Sequence, residues 1–282
     1  MSNQSLKDRL ANLPPERREQ LLAALARRKQ QQKKAVPTIP PIAPQTAVFT
    51  EWAPSFGQRR LWFLDQLTPG NTAYNIPAAV QLDGPLNLDA LQKALNTIIG
   101  RHLLLRQVYD TVDDEPVLRL HPDPSLYLQI YPISPDQLQE EINAANGQPF
   151  DLAHDLPLRA KLLQLAPERH VLLLTMHHIA SDGWSMSVLF KELATLYNAY
   201  LAGNDHPLSA LPIQYADFAH WQREWLNDER LTESLQFWQD ALADAPTTLD
   251  LPTDHPRPPT RSFAGALHPF QLDAELTAAI KQ

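Results

Sequence analysis

The sequence predicts an α/β (α+β) fold in which helices pack on a mixed β-sheet, preceded by a helical leader. Short apolar runs alternate with longer segments whose apolar residues recur at helical spacing. These segments interleave without a strict strand–helix–strand repeat, so a purely parallel sheet is not expected. The chain has 282 residues, of which 44% are hydrophobic and 20% charged, and this composition is typical of a globular protein with a large core.

The leader, residues 1–36, is strongly basic. It holds nine Lys or Arg residues and three acidic ones, which leaves +6 on the leader and −14 on the rest of a chain whose net charge is −8. Leucines recur at helical spacing from Leu6 to Leu25, which predicts one or two amphipathic helices. Two interpretations stay open, a solvated leader and a docking element for an upstream protein. An arm that binds nucleic acid is disfavoured because the leader contains no aromatic residue.

A Pro-rich linker follows at residues 37–48, and residues 49–282 are predicted to form the globular domain. Apolar runs and alternation predict its strands, and apolar residues at helical spacing predict its helices. The predicted strands are Asn75–Leu82, Leu103–Tyr109, Val117–Leu120, Leu126–Ile133, Leu158–Leu165, Val171–His178 and Ala266–Leu272. The predicted helices are Leu88–Ile99, Pro135–Asn146, Gly183 to a stop near Gly203, most of Tyr215–Leu242, and a last one from Asp273.

Composition excludes several classes of protein. With no cysteine the chain has no disulfide, no thiol nucleophile and no thiolate metal site. No apolar run approaches the length of a membrane span, and the polar N-terminus is unlike a signal peptide. The acidic balance argues against nucleic acid as a partner. We therefore expect a cytoplasmic protein without a membrane or nucleic-acid partner.

The most informative segment follows the apolar run Val171–Thr175. It contains two adjacent histidines, His177 and His178, and then Asp182-Gly183 at the start of a helical pattern. An imidazole can take or give a proton near neutral pH, which suits acid–base work at a strand end. Asp182 is predicted to cap the helix. Neighbouring residues of a strand point to opposite faces, so the two histidines are not expected to share a metal ion.

Four separated patches resemble the condensation domains of nonribosomal peptide synthetases, in the chloramphenicol-acetyltransferase-like superfamily. HHIASDG at His177–Gly183 is similar to the active-site signature HHxxxDG of that family. The first of the other three is SFGQRRLWFL at Ser55–Leu64, in which Gly57 replaces the usual alanine. The second is RHLLLR at Arg101–Arg106, in which Leu103 replaces an acidic residue. The third is YADFAHWQ at Tyr215–Gln222. The resemblance covers roughly residues 50 to 260.

The resemblance implies a chloramphenicol-acetyltransferase-like N-terminal lobe that forms an amide bond between a donor acyl or peptidyl thioester and an acceptor aminoacyl thioester. Its partners would be donor and acceptor carrier proteins, whose phosphopantetheine arms carry the substrates, and no metal or directly bound cofactor is implied. The active site of the family lies in a tunnel between two lobes, and the later motifs of the second lobe are not found here. A second condensation lobe is therefore an expected partner. Since the domain lies near the start of the chain, we expect an upstream synthetase protein to deliver the donor through the leader.

For the site residues the resemblance implies two catalytic groups. His178 faces the reaction, as a general base or as an orienter of the amine, and the backbone amide of Gly183 lies near the thioester. His177 and Asp182 are expected to support the site, Asp182 through an ion pair with an arginine for which Arg60 and Arg106 are candidates. Trp184 is expected to pack in the core.

Two other functions remain as alternatives, a coenzyme A-dependent acyltransferase of the same superfamily and a catalytically silent module that binds carrier proteins or acts as a scaffold.

Overall fold

The computed structural model describes residues 39–40, 52–226, 228–249, 251–256 and 268–281. The basic leader and most of the Pro-rich linker lie outside the described residues, so the predictions for them stay predictions. The chain divides into two units, of which the larger comprises residues 39–249. The described part of the smaller unit, residues 251–256 and 268–281, contains one helix, α7 (Ala274–Lys281).

The larger unit alternates helices and strands along the chain. Its helices are α1 (Phe56–Leu67), α2 (Leu88–Arg101), α3 (Leu138–Asn146), α4 (Gly183–Leu201), α5 (Tyr215–Trp225) and α6 (Asp228–Leu242). Its strands are β1 (Asn75–Asp83), β2 (Gln107–Val112), β3 (Glu115–Leu120), β4 (Ile130–Pro132), β5 (Leu158–Ala166) and β6 (Arg169–His177). Short 3₁₀ turns at Leu103–Arg106 and Pro135–Gln137 precede β2 and α3.

The main sheet is mixed, as the sequence predicts. Its strand order is β1-β6-β5-β4, with β6 antiparallel to both neighbours and β4 parallel to β5. Strands β2 and β3 form a separate two-stranded sheet. In the register of the main sheet Asn75 lies opposite His177, so the paired histidines stand where β1 begins and β6 ends.

Both faces of β6 are covered, which explains its continuous apolar run. On one face Leu172 and Leu174 join the main core with apolar residues of α2 and α4. On the other face Val171 and Leu173 belong to a smaller cluster against which α3 packs through Leu138 and Ile142. A strand enclosed in this way holds its C-terminal residues in fixed positions, and the candidate site begins there.

Four predicted elements differ from the observed ones. Residues 103–106 form a 3₁₀ turn directly after α2, so β2 starts only at Gln107. Of the predicted strand Leu126–Ile133 only β4 pairs with a strand; before it, the Leu126 and Leu128 N–H groups donate to Asn96 and Gln92 side chains of α2. The region Tyr215–Leu242 is divided into α5 and α6. Residues 268–272, the described part of the predicted last strand, are irregular.

Candidate active site

The candidate site is the turn that joins the end of β6 to the start of α4. Three backbone hydrogen bonds fix it. The His177 N–H donates to the Pro157 carbonyl at 3.0 Å and the His178 N–H to the Tyr74 carbonyl at 2.8 Å. Within the turn, the Ala180 N–H donates to the His177 carbonyl at 3.0 Å. Ile179 and Ala180 are buried in the main core. The turn therefore has a defined shape before any substrate arrives.

His177 is enclosed, with 1% of its surface exposed. Its Nδ1 accepts the Ile179 backbone N–H at 3.1 Å, and its ring lies 5.8 Å from the Phe150 ring in an edge-on arrangement. Burial, and to a smaller extent the positive charge on His178, lowers the pKa of His177 to about 4. The neutral imidazole thus carries its proton on Nε2, an atom with no hydrogen-bonding partner among the described residues. These contacts hold the backbone of the turn, and the role of His177 in the reaction stays a prediction.

His178, the next residue, is exposed. β6 ends at His177, and His178 lies just beyond the covered strand, so one imidazole of the pair is open to a ligand. It lies close enough to Asp182 for their charges to interact.

Asp182 caps α4, as predicted. Its Oδ1 accepts the Ser185 backbone N–H at 2.8 Å and the Ser185 hydroxyl at 2.6 Å. These two hydrogen bonds, more than the nearby His178, lower the pKa of the Asp182 carboxyl. The expected ion pair with Arg60 or Arg106 is not formed: no arginine among the described residues pairs with Asp182, whose carboxylate is directed to Ser185 by its capping geometry.

Gly183 is the first residue of α4, where backbone N–H groups have no partner within the helix. Its φ lies outside the left-handed region, and a Cβ built at this position meets no other atom within 4 Å. Gly183 therefore does not adopt a backbone conformation that is barred to other residues. Because Gly183 has no side chain, the space beside the N-terminus of α4, the positive end of a helix of 19 residues, is open.

Trp184 does not pack in the core, because 81% of its side chain is exposed. It is the second residue of α4, a helix whose buried residues include Met186 and Leu189. It borders a cavity of about 350 Å³ whose other walls include Met176, Ala180 and Val188.

The second sequence patch, Arg101–Arg106, is connected to α4 and to the residue before α5. The Arg101 Nε and the His102 Nε2 both contact the Glu192 carboxylate of α4, at 3.1 and 2.8 Å. The Gln214 side chain accepts the Leu103 N–H and donates to the Arg101 carbonyl. These contacts tie the end of α2 to α4 and to the start of α5.

The first and fourth patches meet directly. The Ser55 hydroxyl, which caps α1, lies 3.1 Å from the Tyr215 hydroxyl, and the Phe56 N–H donates to Gln222. Sequence reasoning identified these patches but missed Glu192 and Gln214 as their connectors. Gln214 directly precedes the fourth patch, which is the one sequence signal that could have identified it, whereas nothing around Glu192 distinguishes it from other glutamates on exposed helices.

No group of three or more metal-ligating side chains is placed to hold an ion in the described part of the chain. Nor does any helix described there have the length and apolar character needed to cross a membrane. At the turn, an exposed imidazole, that of His178, precedes the N-terminus of α4.

Comparison with known proteins places this arrangement in a family. The model of the condensation domain matches residues 50–282.

The chain belongs to the condensation-domain family.

The curated relatives of this condensation domain are large synthetases. It is 45% identical over 233 residues to malpibaldin synthetase of Mortierella alpina, covering 80% of this chain and 4% of that protein. It is 41% identical over 236 residues to a linear gramicidin synthase protein of Brevibacillus parabrevis, covering 81% and 3%. The chain thus spans a small part of the length of the relatives it matches.

Solved structures give the same fold. The X-domain from teicoplanin biosynthesis, in its complex with OxyB, superposes with a TM-score of 0.71 at 29% identity over 79% of this chain and 49% of that one. The first condensation domain of the calcium-dependent antibiotic synthetase gives 0.63 at 21% identity, over 71% and 50%. The described fold is therefore that of about half of a condensation domain, in agreement with the predicted chloramphenicol-acetyltransferase-like lobe.

The general reaction of the family is peptide-bond formation in nonribosomal peptide synthesis, on substrates that carrier proteins hold by phosphopantetheine. Its members are transferases, and the curated relatives are multidomain synthetases.

Proposed function

We propose that this chain supplies the histidine-bearing lobe of a condensation enzyme that joins a donor acyl or peptidyl thioester to an acceptor aminoacyl thioester. The observation that carries the proposal is the pairing of an exposed His178 with the open N-terminus of α4 at Gly183. Family membership supplies the reaction class.

The reaction needs a neutral amine aimed at an activated carbonyl. The amine nitrogen attacks the thioester carbon, a C–N bond forms, the C–S bond breaks, the thiol leaves on its carrier, and the amine gives up one proton. His178 is placed to accept a hydrogen bond from the amine and either orient it or take that proton. Since a thioester is already activated, orientation contributes much of the rate enhancement.

Negative charge that develops on the carbonyl oxygen needs a donor in a fixed position. The Gly183 N–H at the positive end of α4 is such a donor, and the absent side chain leaves room for the thioester to approach. Asp182 and His177 act on this arrangement indirectly. Asp182 fixes the first turn of α4, and neutral His177 holds the Ile179 N–H and fills the space under the turn.

The partners follow as part of the proposal. Donor and acceptor carrier proteins deliver the thioesters on their phosphopantetheine arms, and no metal or directly bound cofactor takes part. A second lobe completes the site, and the leader, residues 1–36, docks an upstream synthetase protein. Exposed apolar side chains on α6, namely Leu235, Trp238 and Leu242 at helical spacing, support a further lobe, since an apolar face of this kind marks a contact surface. The cytoplasmic location stays a prediction from composition.

The test is detection of the amide product by mass spectrometry. Loaded donor and acceptor carriers are mixed with this chain alone and with the chain plus a complementary second lobe. We expect product only with both lobes. The role of the leader is tested by deleting residues 1–36, and unchanged donor transfer after that deletion would exclude docking through it.

A second candidate is a catalytically silent module that binds a partner protein. The observation in its favour is that a solved relative, the X-domain from teicoplanin biosynthesis, forms a complex with another protein, OxyB. Carrier binding that is indifferent to substitution of His178, with no product in any mixture, would favour this candidate. The coenzyme A-dependent acyltransferase is tested by replacing the donor carrier with free acyl-coenzyme A, and we expect no product from it.

A further inference from the structure

A cavity of about 350 Å³ lies next to the candidate site within the larger unit. Its volume falls in the range of about 300–1,000 Å³ that is usual for small-molecule sites. The active-site turn forms one of its walls: Met176 and Ala180, on either side of the histidine pair, line it, and so do Trp184 and Ser185 directly after Gly183. A group bound in the cavity therefore lies beside the residues assigned to the reaction.

The lining of the cavity consists of apolar side chains and of polar side chains that already have hydrogen-bonding partners. Leu104, Leu189 and Phe218 contribute hydrocarbon surface from three different elements. Two polar side chains in the wall already have hydrogen-bonding partners: His102 contacts Glu192, and the Gln214 side chain bonds to two backbone groups.

The remaining polar groups are similarly engaged. The Tyr215 hydroxyl pairs with Ser55, and the Ser185 hydroxyl donates to Asp182. A charged side chain that entered would lose its water without gaining a matched partner, whereas an aliphatic or aromatic one would lose only unfavourable hydration.

We propose that this cavity receives the side chain of the donor acyl group, and that it selects aliphatic or aromatic donors over charged ones. The inference rests on the proposed function, which places the thioester carbonyl at Gly183. The side chain borne by the carbon next to that carbonyl then lies beside Trp184 and Ser185, at the mouth of the cavity. The apolar walls make side-chain size and charge the selected properties.

The test is direct binding of three small thioesters to the full chain, measured by calorimetry and by saturation-transfer NMR. The probes are the N-acetylcysteamine thioesters of N-acetyl-leucine, N-acetyl-alanine and N-acetyl-aspartate. We expect the leucyl probe to bind at least about tenfold more tightly than the alanyl probe, since each methylene in an apolar pocket contributes that order of discrimination. The aspartyl probe should bind most weakly.

A pair of variants on the same helix isolates the cavity. Val188 lies at its rim, half-exposed, so Val188→Trp obstructs it with little demand on the core. Ser187→Trp adds the same side chain at the neighbouring exposed position, which does not line the cavity. We expect Val188→Trp to abolish the preference for the leucyl probe and Ser187→Trp to retain it, with circular dichroism showing that both variants fold.

Equal affinities for the three probes, absence of binding by all of them, or equal behaviour of the two variants would overturn the inference. The proposed function is judged separately by amide product. If amide product forms but the three probes bind equally well, the assignment of the cavity is rejected and the proposed reaction is kept. If binding is selective but no product forms, the proposed reaction is rejected and the cavity is kept as a binding site.

Discussion

The two adjacent histidines at the end of β6 have different chemistry because one is enclosed and the other faces solvent. His177 is the last residue of the covered strand and accepts the Ile179 N–H on its Nδ1, whereas His178 lies beyond the strand. Of the two imidazoles, only that of His178 is open to solvent.

The enclosure of His177 makes folding stability depend on pH. Its pKa falls from 6.5 to about 4 on folding, so above about pH 6.5 both states are neutral and stability is fully present. As the pH falls towards 4 the unfolded chain binds the proton first, and stability falls. We expect the free energy of unfolding in urea to be about 2 kcal/mol lower at pH 5 than at pH 7.5 on account of this residue.

His177→Gln should reduce that pH dependence, and His206→Gln, at an exposed histidine, should leave it unchanged. If both variants show the pH dependence of the wild type, His177 does not titrate as the structure implies.

A substitution at Gly183 can show whether this glycine is needed for the reaction or for folding. Because a Cβ there meets no atom and φ is ordinary, Gly183→Ala should change the free energy of unfolding by less than about 1 kcal/mol. The added methyl group would occupy the space proposed for the thioester, so we expect amide formation with the second lobe to fall by about 10²-fold. Gly100→Ala, in α2 and equally open, is the matched control and should keep the rate. An unchanged rate in Gly183→Ala would remove this glycine from the site.

At the scale of elements, the position of α4 depends on a few polar connections. Glu192 on α4 holds Arg101 and His102, and Gln214 holds the turn that follows them. These contacts join α2, the 3₁₀ turn and the residue before α5 to α4, and the same elements line the cavity.

Gln214→Ala tests this assembly. It removes the partners of the Leu103 N–H and the Arg101 carbonyl in a partly buried position, so we expect a loss of about 2 kcal/mol in the free energy of unfolding. Gln66→Ala removes an exposed side chain that donates to the adjacent Asp65, and it should cost less than about 0.5 kcal/mol. If urea titrations show that the two variants lose the same free energy of unfolding, the hydrogen bonds of Gln214 do not stabilise the fold.

The elements differ in how far sequence alone could predict them. Periodicity identifies β5, β6 and α4 because each buries a long apolar pattern. It fails at Leu103–Arg106 and Leu126–Gln129, since a leucine-rich run looks the same whether its backbone pairs with a strand, forms a turn or bonds to helix side chains.

In the site, the histidines and the Asp182 cap follow from local pattern. The exposure of Trp184 and the connectors Glu192 and Gln214 depend on packing between distant segments, which no local pattern records.

At the scale of the whole molecule, the chain covers about half of the solved condensation domains and a few per cent of some synthetases it matches. The described surface is consistent with a lobe that has further contacts. Phe63 on α1 and Trp184 on α4 are largely exposed, as are the apolar residues of α6. Large apolar side chains exposed in such numbers favour a partner surface.

The central claim is that His178 acts on the substrate in an assembly of two lobes. The most direct measurement is the rate of amide formation from loaded donor and acceptor carriers, followed by mass spectrometry, for wild type and His178→Ala with the second lobe present. Since His178 is exposed, its substitution should leave the urea midpoint unchanged. We predict that the rate falls by about 10²-fold or more. A rate within a factor of about two of wild type, from a folded variant, would contradict the claim.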